Sequence, residues 1–257
     1  MEYLSVEEGK ARSGLRLVLS MGVPGPWGEA AKGIFTLKGI PFAPVGQKPA
    51  VPNPELEAWT GCASAPVAMY ESERPRSGWV EILLLAERLA PEPRLLPADP
   101  EARALVFGLS HEICGEEGFG WTRRLMLLHG LTRPELPEQA RQIGEYMGGK
   151  YGLTPETGEA APRRTTQLLE LLSEHLRAQR ERGSRYFVGD SLTALDVYWA
   201  TFAALIEPLP QELCPMSEGF RANYTLVDPD VRKAADPILL EHRDHIYERY
   251  LTVPLDF

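Results

Sequence analysis

The stretch Ala90-Pro91-Glu92-Pro93-Arg94-Leu95-Leu96-Pro97-Ala98-Asp99-Pro100 divides the 257-residue chain into two differently patterned parts. Each proline removes a backbone donor and fixes φ, so Pro91, Pro93, Pro97 and Pro100 together read as an inter-domain linker. Short strand-like runs and isolated helical stripes precede it, and everything beyond it is helical in period. That order predicts an α/β domain over residues 1–92 and an all-α helical bundle over 98–257, on separate cores.

Upstream of the linker, Leu15-Arg16-Leu17-Val18-Leu19-Ser20 alternates as a strand does. A Gly/Pro loop over Met21–Pro26 leads into a helix over Trp27–Leu37, with Pro26 near its first turn and Gly39 as its stop. Ile40–Val45 carries Pro41 and Pro44, which confines a strand there to a sheet edge or end. Gly46–Ser64 reads as irregular, with at most a short helix over Pro54–Trp59. Pro66–Tyr70 reads as a further strand with a short partner at Arg74–Arg76. A helix with Val80, Leu83, Leu84 and Leu89 on one face follows.

Downstream, Ala102, Leu105, Leu109 and Ile113 form one stripe. Trp121–His129 continues it past a break at Gly118 and Gly120, and Leu168, Leu169, Leu171, Leu172 and Leu176 form another stripe. Thr193 and Asp196 have the spacing of a capping box, with Leu192 and Val197 as its hydrophobic staple.

Hydrophobic residues at 44% and charged residues at 25% are ordinary for a soluble globular chain. A net charge of -9 argues against a nucleic-acid partner. The arginines from Arg163 through Arg164, Arg177, Arg180 and Arg182 to Arg185 read as a solvated helix face beside an apolar stripe. Met1–Gly14 lacks the basic and apolar regions of a signal peptide, and no apolar run is long enough to span a membrane. Three scattered cysteines, Cys62, Cys114 and Cys214, fit a reducing compartment, so the expected location is cytoplasmic. His242 and His245 share a helix face without a third ligand, so no metal site is expected.

Four patterns in order give the chain a family likeness. They are Gly25-Pro26-Trp27-Gly28 running ungapped to Lys38-Gly39-Ile40-Pro41; Ser64-Ala65-Pro66-Val67; Arg76-Ser77-Gly78-Trp79-Val80; and Phe187-Val188-Gly189-Asp190-Ser191-Leu192-Thr193-Ala194-Leu195-Asp196. Over roughly Leu15–Leu205 the sequence resembles the glutathione S-transferase superfamily, a thioredoxin-like domain followed by a helical one; Ile206–Phe257 matches nothing placed. The resemblance implies glutathione as co-substrate, a cis peptide before Pro66, a homodimer, and transfer of glutathione to a small hydrophobic electrophile.

It also implies site residues. Ala65 and Pro66 would present a main-chain edge to the cysteinyl part of glutathione, as in strand addition. Ser77 would meet the γ-glutamyl carboxylate at a helix start. Arg76 stands where the family has Glu, and it could pair with a carboxylate instead. Gly25 occupies the Ser/Cys position that activates the thiol, leaving Trp27 and Ser20 as the candidate catalytic donors. His111, Cys114 and Trp121 would border the acceptor pocket, with His111 and Cys114 one turn apart on a helix face. The alternative is a non-catalytic binding protein of the same fold, favoured by Gly25 and Arg76.

Overall fold

The computed structural model describes residues 1–257. The first part is a three-stranded sheet in the order β2-β1-β3, formed by β1 (Leu15–Ser20), β2 (Phe42–Gln47) and β3 (Val67–Tyr70). β1 runs parallel to β2 and antiparallel to β3. Its central position explains why Leu15, Leu17, Val18, Leu19 and even Arg16 are all buried: a strand covered on both faces needs no polar side. The Arg16 guanidinium donates to the carbonyls of Gly14 at 2.8 Å and Glu71 at 2.9 Å.

β2 is an edge strand, as its proline requires. On its outer side Leu4 donates to the Pro44 carbonyl at 2.9 Å and accepts from Gly46 N–H at 3.0 Å. Leu4 leads into α1 (Val6–Ala11), a polar helix with no apolar stripe, begun by a capping box between Ser5 and Glu8. α2 (Pro26–Leu37) crosses from β1 to β2, and α3 (Pro54–Thr60) fills the irregular segment. The expected strand at Arg74–Arg76 is reduced to one bridge, in which Arg76 exchanges hydrogen bonds of 2.8 and 3.0 Å with Ala68. In α4 (Trp79–Leu89) the buried arc is Ile82, Leu83, Leu85 and Ala86, not the expected stripe, and Leu84 is 43% exposed. The arc is displaced because α2 packs along the helix while Tyr198 of the second part stacks edge-on against Trp79.

The second part holds α5 (Pro100–Cys114), α6 (Phe119–Leu131), α7 (Glu138–Tyr151), α8 (Pro155–Glu181), α9 (Ala194–Phe202), α10 (Glu218–Tyr224), α11 (Pro229–Ala234) and α12 (Pro237–Tyr250). α5 buries Val106, Leu109, Ser110, Ile113 and Cys114, so the expected stripe is corrected at Leu105, which is exposed. α5 and α6 are separate helices. At Gly118 a Cβ would come within 2.9 Å of three carbonyl oxygens, so only glycine fits the break. The capping box of α9 forms as read: Asp196 accepts from the Thr193 N–H and hydroxyl at 2.8 Å each, and from Phe187 N–H at 2.9 Å. The C-terminal stretch folds back over α9, where the Trp199 indole donates to the Leu239 carbonyl at 2.9 Å. No helix is long and apolar enough to cross a membrane.

The expectation of separate cores is corrected. One cluster of 45 buried residues runs from Leu17 and Phe35 of the first part to Trp199 and Ile246 of the second, because α2 packs directly on α9. The linker is likewise pinned. Leu95 and Leu96 are buried, and the Lys38 ammonium donates to the carbonyls of Ala90 at 2.7 Å and Pro93 at 2.8 Å while pairing with Glu87 at 2.7 Å.

Candidate functional site

Where the two parts meet lies a cavity of about 300 Å³. Its floor is the start of α2. Gly25 caps that helix with φ -62° and ψ 126° and offers no side chain. Its own N–H donates to the Val23 carbonyl at 2.8 Å, and its carbonyl accepts from Glu29 N–H at 2.9 Å. The N–H groups of Trp27 and Gly28 have no partner in the chain, so they present the positive end of the helix dipole to the cavity that both residues line.

A second open backbone group faces the same space. The Ala65–Pro66 peptide is cis. The Ala65 N–H and carbonyl bond to nothing in the protein, and Ser64 and Ala65 line the cavity above buried Pro66. Ser20 also borders it; its hydroxyl donates to the Gln47 side chain at 2.8 Å, tying the ends of β1 and β2. Ser20, Trp27 and Ala65 are therefore brought together.

The other sequence-derived residues are not. The Trp27 indole lines the cavity, but its N–H donates to the Cys114 carbonyl at 2.9 Å, so it is not a free donor for a thiol. Cys114 points into the core, where burial pushes its thiol well above the ordinary range. His111, one turn back, is solvent-exposed and does not share that environment. Trp121 stands edge-on to Tyr151 at 5.5 Å, outside the lining itself. Arg76 pairs with Glu73 at 2.5 Å, and Glu73 also holds Arg88 at 2.6 Å. Those bonds, from Arg88 first, hold the Glu73 carboxyl below its usual range. Ser77 is exposed and is not the cap of α4, a place taken by Gly78. Neither Arg76 nor Ser77 reaches the cavity.

Residues that the sequence did not single out complete the wall. α6 contributes Arg124 and Leu127, α7 contributes Ile143, Met147 and Tyr151, and α10 contributes Phe220 and Tyr224. Arg124 lies 4.1 Å over the Trp27 ring and 4.0 Å over that of Tyr151. Gly120 allows this approach, since a Cβ there would sit 2.3 Å from Phe202 and 2.9 Å from Trp27. No group of His, Cys, Asp and Glu side chains could hold a metal ion. His242 is instead buried with its Nε2 3.0 Å from Asp196.

Neither a family model nor a curated relative matches the sequence. Solved structures do match over nearly the whole chain. A β-etherase from Sphingobium superposes with a TM-score of 0.63 at 19% identity, covering 91% of this chain and 95% of that one. A glutathione transferase homologue from Sulfitobacter with bound glutathione gives 0.60 at 14% identity, covering 93% and 94%. A glutathione S-transferase from Methylobacillus flagellatus, also with glutathione bound, gives 0.62 at 14% identity, covering 91% and 95%. The fold is that of the glutathione transferases. Within this glutathione transferase fold, the open main chain at Ala65 and the bare helix start at Trp27 and Gly28 face a common cavity, whose remaining wall is built from α6, α7 and α10.

Proposed function

We propose that the chain binds glutathione and transfers it to a small, largely apolar electrophile. The observation that carries this reading is the pair of unpartnered backbone groups, at Ala65 and at the start of α2, which open into one cavity. An extended tripeptide adds to the Ala65 edge as a strand would. Its sulfur then lies toward the N–H groups of Trp27 and Gly28, where partial positive charge favours thiolate over thiol. The thiolate attacks the acceptor carbon, a C–S bond forms, and the leaving group departs with its electron pair. The γ-glutamyl carboxylate extends beyond the cavity toward exposed Ser77, and Glu73 neutralises Arg76 so that it neither attracts nor repels the head group strongly. Two relatives in fold hold glutathione, which supports the ligand class.

Calorimetric titration with glutathione tests the binding, and ultraviolet absorbance of the bound thiolate tests its activation. Micromolar to millimolar affinity with a depressed thiol pKa is expected; no heat and no thermal shift at high ligand would exclude the reading. A binding protein without thiol activation is the second reading, favoured by Gly25 and by the Trp27 indole N–H, which is committed to the Cys114 carbonyl. Saturable glutathione binding with an unshifted thiol and no turnover of an aromatic electrophile would establish it. A two-fold homodimer in a reducing cytoplasm completes the proposal; the exposed apolar side chains Leu84 and Leu105 are available for pairing, and light scattering reads the mass.

A further inference from the structure

Arg123 and Arg124 are adjacent in sequence and opposite in situation. Arg123 is buried and donates to the carbonyls of Leu205 at 2.9 Å and Tyr224 at 3.4 Å, and its burial lowers its pKa to about 10. It holds α6 to the segments that follow α9. Arg124 makes no hydrogen bond and no ion pair within the chain, although it lines the cavity. Three rings surround its guanidinium: Trp27 at 4.1 Å, Tyr151 at 4.0 Å and Trp121 at 5.5 Å. Ring faces stabilise a cation by about 0.5–2 kcal/mol and leave its in-plane N–H donors unused.

A guanidinium fixed this way is preorganised for an anion. The other charged side chains of the cavity do not supply one. Glu29 is buried and bonded to Lys32 at 2.8 Å, and Lys150 is a second, exposed cation 5.8 Å from the Tyr151 ring. Around Arg124 the wall is apolar, with Leu127, Leu128, Leu131, Ile143, Met147 and Phe220. Desolvation there lowers the Arg124 pKa, and an incoming negative charge reverses that cost. Tyr151 and Tyr224 oppose that lowering, and a bound anion adds a full net charge to their pull.

We propose that the acceptor taken beside the thiol is an amphiphilic anion, a carboxylate or sulfonate carried on an apolar body, with Arg124 receiving the charged group bidentately. The aliphatic side chains of α6 and α7 then cover the apolar body. Assigning this ligand as acceptor rests on the transfer reading above; its binding does not require glutathione. The planar fork of arginine suits a carboxylate in a way a lysine ammonium does not.

The test is equilibrium dialysis of 2-naphthoate and its neutral isostere 2-naphthamide against the full chain without glutathione, alongside separate glutathione calorimetry. The native protein is expected to bind naphthoate at least about tenfold more tightly than the amide. Arg124→Gln should bring the two within about twofold, and Lys150→Gln should change the preference by less than about threefold. Should the Gln variant fail to fold by circular dichroism, Arg124→Lys decides: naphthoate affinity must fall by roughly three- to tenfold with the amide unchanged. Equal affinities in the native protein, or a preference that survives loss of the guanidinium, overturns the proposal. So does a loss confined to glutathione affinity, which would place a carboxylate of the tripeptide at Arg124. Failure of glutathione to bind in calorimetry bears only on the transfer reading.

Discussion

The Trp27 indole N–H donates to the main-chain carbonyl of Cys114 across 2.9 Å, joining the first turn of α2 to the last residue of α5. The same ring packs edge-on against Phe202 at 4.7 Å and lies beneath Arg124. Trp27 is thus a strut between the two parts of the chain as well as a cavity wall. Trp27→Phe keeps an aromatic face and leaves the Cys114 carbonyl without its donor, which costs about 1–3 kcal/mol. Urea unfolding should show that loss while the pKa of bound glutathione stays put. A thiol pKa that rises in the variant would return the indole to a catalytic role.

Gly25 is open. A Cβ built there meets nothing within 4 Å, and its φ of -62° suits any L-residue. Gly25→Ser should therefore fold normally and, as a cap for α2, add a few tenths of a kcal/mol. If the Trp27 and Gly28 N–H groups already serve the sulfur, turnover with a generic electrophile should change by less than about fivefold, roughly 1 kcal/mol in barrier. A gain of about a hundredfold would show that the native site lacks an activating group.

The three cysteines should react in a fixed order. Cys62 is half-buried in a loop, whereas Cys114 and Cys214 are buried, and burial raises both of their thiols, Cys214 to about 11. Iodoacetamide at neutral pH should modify Cys62 first by mass spectrometry, with the others reacting only in denaturant. Rapid labelling of Cys114 in the folded protein would revive it as a nucleophile beside His111.

Glu29, at the first turn of α2, is buried, and that burial raises its pKa against the opposing pull of Lys32. A raised folded-state pKa means that its favourable contribution is complete below the unfolded value of about 4.3 and is lost as pH climbs through the folded one. Glu29→Gln should therefore raise the melting temperature at pH 7 and leave it nearly unchanged at pH 4. Equal shifts at both values would mean that the carboxyl's charge is immaterial.

Much of the first part was legible because its signals are chemical punctuation: Pro26 at a helix start, Gly39 past its end, and Ala65-Pro66 before a strand. α7 was not. Its buried positions include Gly144 and Gly148, where a Cβ would come within 2.9 Å of Leu131 and 3.0 Å of Leu153, so close backbone approach replaces the apolar stripe. Its large apolar residues, Ile143 and Met147, face the cavity instead. Arg124 was hidden for a similar reason, since Arg123-Arg124 in sequence resembles any solvated basic pair. The only hint was Trp121 three residues earlier, on the same helix face. His111 and Cys114 do not line the cavity because α5 turns Cys114 into the core and His111 to solvent, a rotation that one-turn spacing does not fix.

Because Lys38 clamps the linker and α2 is sunk against α9, the two parts cannot swing apart like jaws without dismantling the interior they share. The width of the cleft is thereby set at folding rather than at each encounter with a ligand. Of the helices around it, α7 stands outside that shared interior and packs mainly on α6 alone.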